Sequence, residues 1–558
     1  MFNLPMPSSS QINRYFFYGV VILGLAHAVA SRHTMNPDGI SYLEIGQRIA
    51  QGDWSAAING YWSPLYSLLL GTAFFIFHPS LYWEATLIHS VNFLIYIGAF
   101  FSFRWFINTL TANYDQNKKL LKVLMYTIFL VSSLSMITLR MVTPDMLVAL
   151  IIYVVLGIIL RIKRNEGRWG IFALFGILLG LGYLTKAALF PMAFIFLSVG
   201  FFAAGNWRKA LPRVILSLFV FLLMATPYVY LLSREKNRLT FSDAGRLNYA
   251  WFINDVTHYN HWQGGGDAGM PVHSTRKISD SPDIYEFGDP VWGTYPPWYD
   301  PTYWYEGVQP HFNFLGQLKT VFYNIEEYYK LFLRIYGIII SGLLFLFFAT
   351  GDRRKLIKLI LREWAILVPA LAGLGMYILV AVRDRYAAPF SVLLWVGIFA
   401  GISSYDHSEV RKYTRTIIIA IIVVLLFQLG LSSINDSHQT LSVIFQGENS
   451  EEHVQWQIAE GLRESGLKSG DEIGIISQHV AGFGSYWAYL AGVRIVAELP
   501  PGEVNKYWFA GDETKNNVLK IFKKAGVRAV VMEQMQSPKP LVGWQKLGDT
   551  QYYIYLFK

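Results

Sequence analysis

Long apolar runs separated by short polar stretches dominate this chain. They occupy 15–30, 81–106, 121–138, 145–160, 169–185, 187–205, 213–232, 326–349, 364–381, 387–403 and 416–432. A helix needs about 17–25 apolar residues to cross a hydrocarbon core. The pattern therefore predicts a polytopic α-helical membrane protein with about eleven transmembrane helices. A shorter apolar piece, 64–77, follows Ser63-Pro64 and leaves two readings, a further crossing or a helix on the membrane surface. Ala28-Val29-Ala30 resembles a signal-peptidase site, so the first run reads as an anchor or as a cleaved leader. Either way, the chain after Ala30 emerges on the outer side.

Two longer segments break the rhythm. In 233–325, Gly264-Gly265-Gly266 and Tyr295-Pro296-Pro297-Trp298-Tyr299-Asp300-Pro301 predict an ordered, irregular loop packed by its aromatic rings. Beyond 433 the period changes again. Trp456 to Ser465 and Asn516 to Ala525 read as amphipathic helices. Glu472 to Ile476, Val493 to Val496, Arg528 to Met532 and Tyr552 to Leu556 read as strands. That alternation predicts a soluble C-terminal α/β domain. It contains no Gly-rich phosphate loop and no nucleophile elbow, which favours a structural or docking role. The expected division is a transmembrane module over 1–432, with outer loops 31–80 and 233–325, and an extracytoplasmic domain over 433–558.

Composition agrees with a membrane chain. Of the 558 residues 53% are hydrophobic and only 15% are charged, against roughly 25% charged in soluble domains. The net charge of +9 matters less than its distribution. Lys118, Lys119 and Lys122, then Arg161, Lys163, Arg164 and Arg168, then Arg208, Lys209 and Arg213 fall in every second loop. Arg353, Arg354, Lys355, Lys358 and Arg362, then Arg411, Lys412 and Arg415, continue the register. By the positive-inside rule these loops are cytoplasmic, as is the N-terminus. Charge scattered over separate loops also argues against a nucleic-acid partner. No cysteine is present, which removes disulfides and thiolate metal sites.

The candidate chemistry lies on the opposite face. Asp38 sits in Pro37-Asp38-Gly39 just after the first run, followed by Tyr42. Thr143-Pro144-Asp145, Tyr183-Leu184-Thr185-Lys186 and Arg383-Asp384-Arg385-Tyr386 sit at later span ends on the same side. Cations near a membrane interface are costly unless paired or bound to an anion. Phosphate would satisfy them, and Arg offers it a bidentate fork; snorkelling to head groups, or pairing with Asp384, is the other reading for Arg383 and Arg385. Asp145 reads as a helix cap after Pro144, or as a group that orients an acceptor or pairs with a cation. Arg246, near the membrane exit of the large loop, reads as a donor contact or as an ordinary surface residue. His258, His261, His273 and His311 share that loop without a compact zinc spacing.

These motifs, in this order and sidedness, resemble the GT-C glycosyltransferases over roughly residues 15–405, in particular the branch of protein O-mannosyltransferases and lipid A aminoarabinose transferase. The apolar Ser63-Pro64-Leu65-Tyr66 stretch resembles that family's second surface helix. Gly39 departs from the Asp-Glu pair of the O-mannosyltransferases, and no Asp-x-Asp motif of the oligosaccharyltransferase kind is present. The resemblance implies inverting transfer of a sugar from a polyprenyl-phosphate donor to a protein, lipid or glycan acceptor, on the periplasmic side of an inner membrane. It implies Asp38 as base, Lys186, Arg383, Arg385 and Tyr386 at the donor phosphate, and Tyr42, Asp145 and Arg246 at the acceptor. No cofactor and no divalent metal are expected. The partners are the lipid-linked sugar, membrane lipids and the acceptor. A transporter or lipid flippase, and a non-catalytic envelope scaffold, are the alternative readings; internal repeats and mid-membrane charges would mark the former.

Overall fold

A computed structural model describes residues 7–112, 114, 118–257, 261–405, 408–446, 451–479, 484–533 and 542–557. All eleven predicted segments fall on helices. Among the described residues, eight helices are long and apolar enough to cross a membrane, or nine if Arg353–Leu361 and Trp364–Ile378, bent by 80°, form one span. Segments 169–185 and 187–205 form Trp169–Thr185 and Leu189–Ala203, of 17 and 15 residues, and fall short of that length. Length and composition alone thus single out eight or nine of the eleven expected segments.

Burial sorts the helices into centre and rim. Lys118–Ile137, Asp145–Lys163 and Asp384–Ser403 are buried over 89%, 78% and 78% of their most apolar stretch. Ser9–Ala30, Trp207–Glu235 and Phe314–Ala349 are buried over only 22–28% of theirs, so their apolar surface faces outward. A helix apolar all round with most of that surface uncovered suits lipid, which is as apolar as the side chains. The basic loops converge at one end of the bundle. There Lys163 donates to the Arg362 carbonyl (3.1 Å), Arg213 to the Gly167 carbonyl (2.7 Å) and Arg164 to the Thr109 carbonyl.

At the other end lies a layer of outer helices. Pro37–Ala50 and Pro64–Phe77 cross at Gly46 and Gly71, where a Cβ on Gly71 would lie 2.8 Å from the Gly46 carbonyl oxygen. The piece 64–77 is therefore a 14-residue helix packed on the first outer helix. Asn59 accepts from the amides of Tyr61 and Trp62 (2.8 and 3.0 Å) and donates to the Tyr299 carbonyl (3.1 Å), fastening the first outer loop to the large one.

The C-terminal domain carries a seven-stranded sheet, ordered β1-β2-β4-β3-β5-β7-β6. Its strands are β1 (Arg276–Asp280), β2 (Asp283–Glu286), β3 (Glu472–Ile476), β4 (Arg494–Leu499), β5 (Ala529–Glu533), β6 (Gln545–Lys546) and β7 (Tyr552–Leu556). β3 runs parallel to both β4 and β5, whereas β2 and β7 add antiparallel flanks. The four expected strands and both expected helices are present. β1 and β2 come from the 233–325 loop, so the large loop completes one edge of the sheet.

The first outer helix, Pro37–Ala50, joins the two halves. Residues three or four apart share a helix face, which puts Asp38 and Tyr42 on one side and Glu44, Gln47 and Arg48 on another. Glu44 Oε1 accepts from the Thr294 amide and hydroxyl (2.7 and 2.6 Å). Gln47 donates to Glu84 (2.9 Å) and to the Tyr489 hydroxyl (2.5 Å), and Tyr489 donates to Glu84 (2.5 Å). Burial pushes the Glu44 carboxyl up to about 7, against the two Thr294 hydrogen bonds that favour its ionised form.

The raised value has a sign that can be tested. Folding favours protonated Glu44, so its stabilising share is complete below the ordinary carboxylate range, near 4.3, and is lost as pH rises through about 7. Glu44→Gln keeps the shape without the titration. Thermal unfolding of the solubilised protein should find the variant gaining on wild type from about pH 5 to about pH 8. A constant difference across that range would contradict this account.

Candidate active site

Most site residues are placed by helix ends on the side of the bundle away from the basic loops. Pro37 occupies the first turn of Pro37–Ala50, where its fixed φ suits a helix start and its missing N–H costs no bond. Asp38 follows it, at the end where a carboxylate is favoured by the helix dipole. Asn36, just before, accepts from the Val142 amide (2.7 Å) and so ties the first outer loop to the second. That contact leaves no room at 39: a Cβ there would lie 2.7 Å from Met35 Sδ and 2.8 Å from Val142 Cβ. A larger side chain at 39 would need Met35 or Val142 to shift.

The second outer loop enters through a π-helical turn, Ser132–Ile137, and Thr138 at φ 60°. Asp145 then opens Asp145–Lys163, with Pro144 in the cap position before it. It is buried and turned into the cavity, with Oδ1 2.5 Å from Lys186 Nζ and Oδ2 3.4 Å from Arg385 Nε. The reading of Asp145 as a simple cap is thereby replaced by that of a cation partner. Lys186 is the residue that ends Trp169–Thr185, and its ammonium also sits 3.6 Å from the centre of the Tyr386 ring. Arg385, in the first turn of Asp384–Ser403, reaches Asp38 Oδ2 with Nη2 at 2.7 Å. Four charges thus form one chain, Asp38–Arg385–Asp145–Lys186, with no net charge.

The chain forms one wall of a cavity of about 310 Å³. Tyr386 lines it and stacks on Tyr377, ring centres 5.2 Å apart. Tyr42 lines it beside Trp62 and Tyr66, and burial holds its phenol well above the usual range. The rest of the lining is largely apolar or aromatic, including Tyr61, Trp62, Pro191, Phe241, Met376 and Val380, with Ser63, Thr143 and Asn248 as polar members. Pro191, Phe241 and Met376 lie outside the sequence motifs, so only folding could reveal them. An apolar pocket with a few convergent charges is the usual form of a small-molecule site.

Two predicted residues are not brought in. Arg383 is exposed at the start of its helix and does not line the cavity. Alternate residues at a helix start point in different directions, so only Arg385 of the pair turns inward. Arg246 donates to the Val308 carbonyl within the large loop, although its neighbours Ala244, Gly245 and Asn248 line the cavity. Among the loop histidines, His261 stacks on Tyr285 and lies 3.4 Å from Glu498, while His273 stacks on Tyr303. His258 lies outside the described residues. Among the described residues no three His, Asp or Glu side chains gather as metal ligands.

No protein-family model matches the chain, and no curated protein matches it in sequence. Solved structures do. The crystal structure of ArnT from Cupriavidus metallidurans in the apo state superposes with a TM-score of 0.53 at 13% identity, covering 98% of each chain. The same protein bound to undecaprenyl phosphate gives 0.51 at 11% identity, again over 98% of each. The Archaeoglobus fulgidus oligosaccharyltransferase tethered with an acceptor peptide scores 0.46 at 14% identity, over 94% of this chain and 70% of its own. The likeness to ArnT extends over nearly the whole chain and shows a shared fold.

The charge chain should behave as a unit. Removing one partner of a buried pair leaves an uncompensated charge, at about 3–5 kcal/mol. Asp145→Asn should therefore cost roughly 3 kcal/mol, toward the lower end because Lys186 keeps 21% of its side chain exposed. Adding Lys186→Met should recover part of that loss in a double-mutant cycle read by thermal unfolding. Additive losses would mean the two side chains are not coupled.

Proposed function

We propose, from a GT-C fold with this cavity at its outer face, that the protein is an inverting glycosyltransferase that takes a sugar from a polyprenyl-phosphate donor. The observation that carries the reading is the Asp38–Arg385–Asp145–Lys186 chain against an apolar wall. A lipid-phosphate sugar has the matching halves: an anion for the two cations and an isoprenoid stem for the apolar side. The basic loops gather at the far end of the bundle, which supports an extracytoplasmic placement of the cavity in this reading. The membrane would be an inner (plasma) membrane, with the acceptor a protein, lipid or glycan.

The chemistry follows from what each group can do. Displacement at the anomeric carbon breaks its bond to the phosphate oxygen and forms one to the acceptor oxygen. The acceptor's proton needs a base, and the departing phosphate needs positive charge. Phosphate leaves as a stable anion, so no second carboxylic acid is required, unlike in inverting glycosidases. Asp38 is the base in this reading, and Lys186 and Arg385 hold the phosphate beside Tyr386. No metal ion has a role in it.

Before donor arrives, Arg385 is held by both carboxylates. A phosphate oxygen competes for the same guanidinium, so donor binding loosens Arg385 from Asp38 and frees a carboxylate oxygen to accept a proton. The base is thus uncovered by the substrate whose reaction it serves. Asp145, buried between the two cations, keeps them in place while they exchange partners.

Asp38→Asn tests the reading directly, because Asn keeps size and hydrogen bonding but cannot take the proton. Membranes supplied with radiolabelled polyprenyl-phosphate sugars should lose transfer by about 10²–10⁴-fold in the variant, with donor binding retained. Arg385→Lys should instead weaken donor binding, since a point charge replaces the fork. Full transfer by Asp38→Asn would remove it as base. Absence of transfer by wild type with every donor would remove the enzyme reading.

A further inference from the structure

The far end of the bundle carries a feature that topology signalling does not require. Arg353–Leu361 is a nine-residue helix bent 80° from the following Trp364–Ile378. A helix at that angle to a crossing helix lies along the membrane plane. Leu356 is its buried anchor, and the helix packs closely on Asp384–Ser403, where a Cβ on Gly401 would lie 2.5 Å from Ile360 Cα. On the uncovered side Ile357 and Leu361 are 45% and 60% exposed. At 100° per residue they are flanked by Arg353 on one edge and by Arg354 and Lys358 on the other. Exposed apolar residues bordered by cations are the mark of a helix that beds into lipid and holds anionic head groups. Asp352 is occupied in capping, accepting from the Lys355 amide at 2.9 Å, and Glu363 is the other acidic residue beside this run.

A second observation lies next to it. An apolar groove of about 410 Å³ runs between Leu189–Ala203 and Trp364–Ile378, lined by Ile195, Ser198, Val199, Phe202, Trp364 and Val368. The same two helices meet the active-site cavity at their other ends, through Pro191 on one and Met376 on the other. About 21 Å of helix therefore separates Trp364 from the end of its span, and the groove belongs to the opposite leaflet. Its mouth is bracketed by cations. Arg362 stands two residues before Trp364, and Arg208 and Lys209 follow Phe202 across a short turn. All three are exposed.

We propose that this groove and helix form a binding site for an anionic phospholipid of the leaflet opposite the cavity. The phosphate lies among Arg354, Lys358 and Arg362, and one acyl chain fills the groove beside Ser198 and Val368. The charge at the mouth selects a phospholipid over the isoprenoid stem of a donor, whose phosphate is held at the other end of the span. The site stabilises the 80° bend between the surface helix and its span. It is independent of the glycosyltransferase reading, and activity is not its readout.

Native mass spectrometry of the full-length protein, equilibrated in vesicles of mixed phosphatidylglycerol and phosphatidylcholine, tests it. Wild type should retain phosphatidylglycerol selectively. With about 1 kcal/mol per cation, the combined Arg354→Gln, Lys358→Gln and Arg362→Gln variant should bind it on the order of a hundredfold more weakly. Ser198→Trp, which fills the groove with the charges intact, should also lose it. Equal retention of both lipids by wild type, or wild-type selectivity in either variant, would overturn the proposal. So would displacement of phosphatidylglycerol by an equimolar polyprenyl phosphate, which would give the groove to a donor stem.

Discussion

The constraint on which the site depends is the cost of charge at a membrane boundary. Asp145 is buried, and two cations within reach of it are mostly covered. None of the three could stay ionised alone at that depth without losing several kcal/mol. They are tolerable because they neutralise each other and because Asp38 completes the chain at its more open end. The arrangement is stable yet exchangeable. In the proposed reaction an arriving phosphate competes with Asp38 for the same guanidinium, so partners exchange around cations that are already in place. That is a physical reason for a neutral, four-membered cluster where a purely cationic pocket would bind phosphate as well but would be harder to fold.

The cluster depends in turn on one amphipathic helix. Pro37–Ala50 presents Asp38 to the cavity and, from its other side, Glu44 and Gln47 to the large loop and the C-terminal domain. The large loop reciprocates by giving β1 and β2 to the sheet and Trp298 to the aromatic group around Trp62, with ring centres 5.7 Å apart. The C-terminal domain therefore braces the element that carries the proposed base. A change at Glu44 or Tyr489 reaches Asp38 through a single rigid helix.

The two membrane faces are built differently for the same underlying reason. On one face, cations are drawn inward and paired with carboxylates around a cavity. On the other, they are left exposed, bordering apolar residues that only lipid can cover. Trp364–Ile378 and Leu189–Ala203 contribute to both, with charge-lined space at one end and apolar space at the other.

Much of this was decided along the chain. Apolar runs must be helices where water is absent, so all the expected segments are helical, and the basic loops alternate because translocation sorts them by charge. Asp38, Lys186 and Arg385 could be picked out because cations and carboxylates at outer span ends have few structural uses. What the sequence could not decide was direction. Arg383 and Arg385 are two residues apart on the same turn, and only the packing of Asp384–Ser403 turns one inward. Asp145 follows a proline in a cap-like pattern, yet Lys186 and Arg385, brought from 41 and 240 positions away, claim its carboxylate. Arg246 is spent on a carbonyl of its own loop. Hydropathy does not register that two of the expected segments fold as helices of only 17 and 15 residues. β1 and β2 were missed because they are only five and four residues long, and their hairpin joins a sheet only where β2 meets β4, about 200 positions later. Local composition fixes what a segment can be; which groups meet is a property of the folded whole, because the partners are distant in the chain.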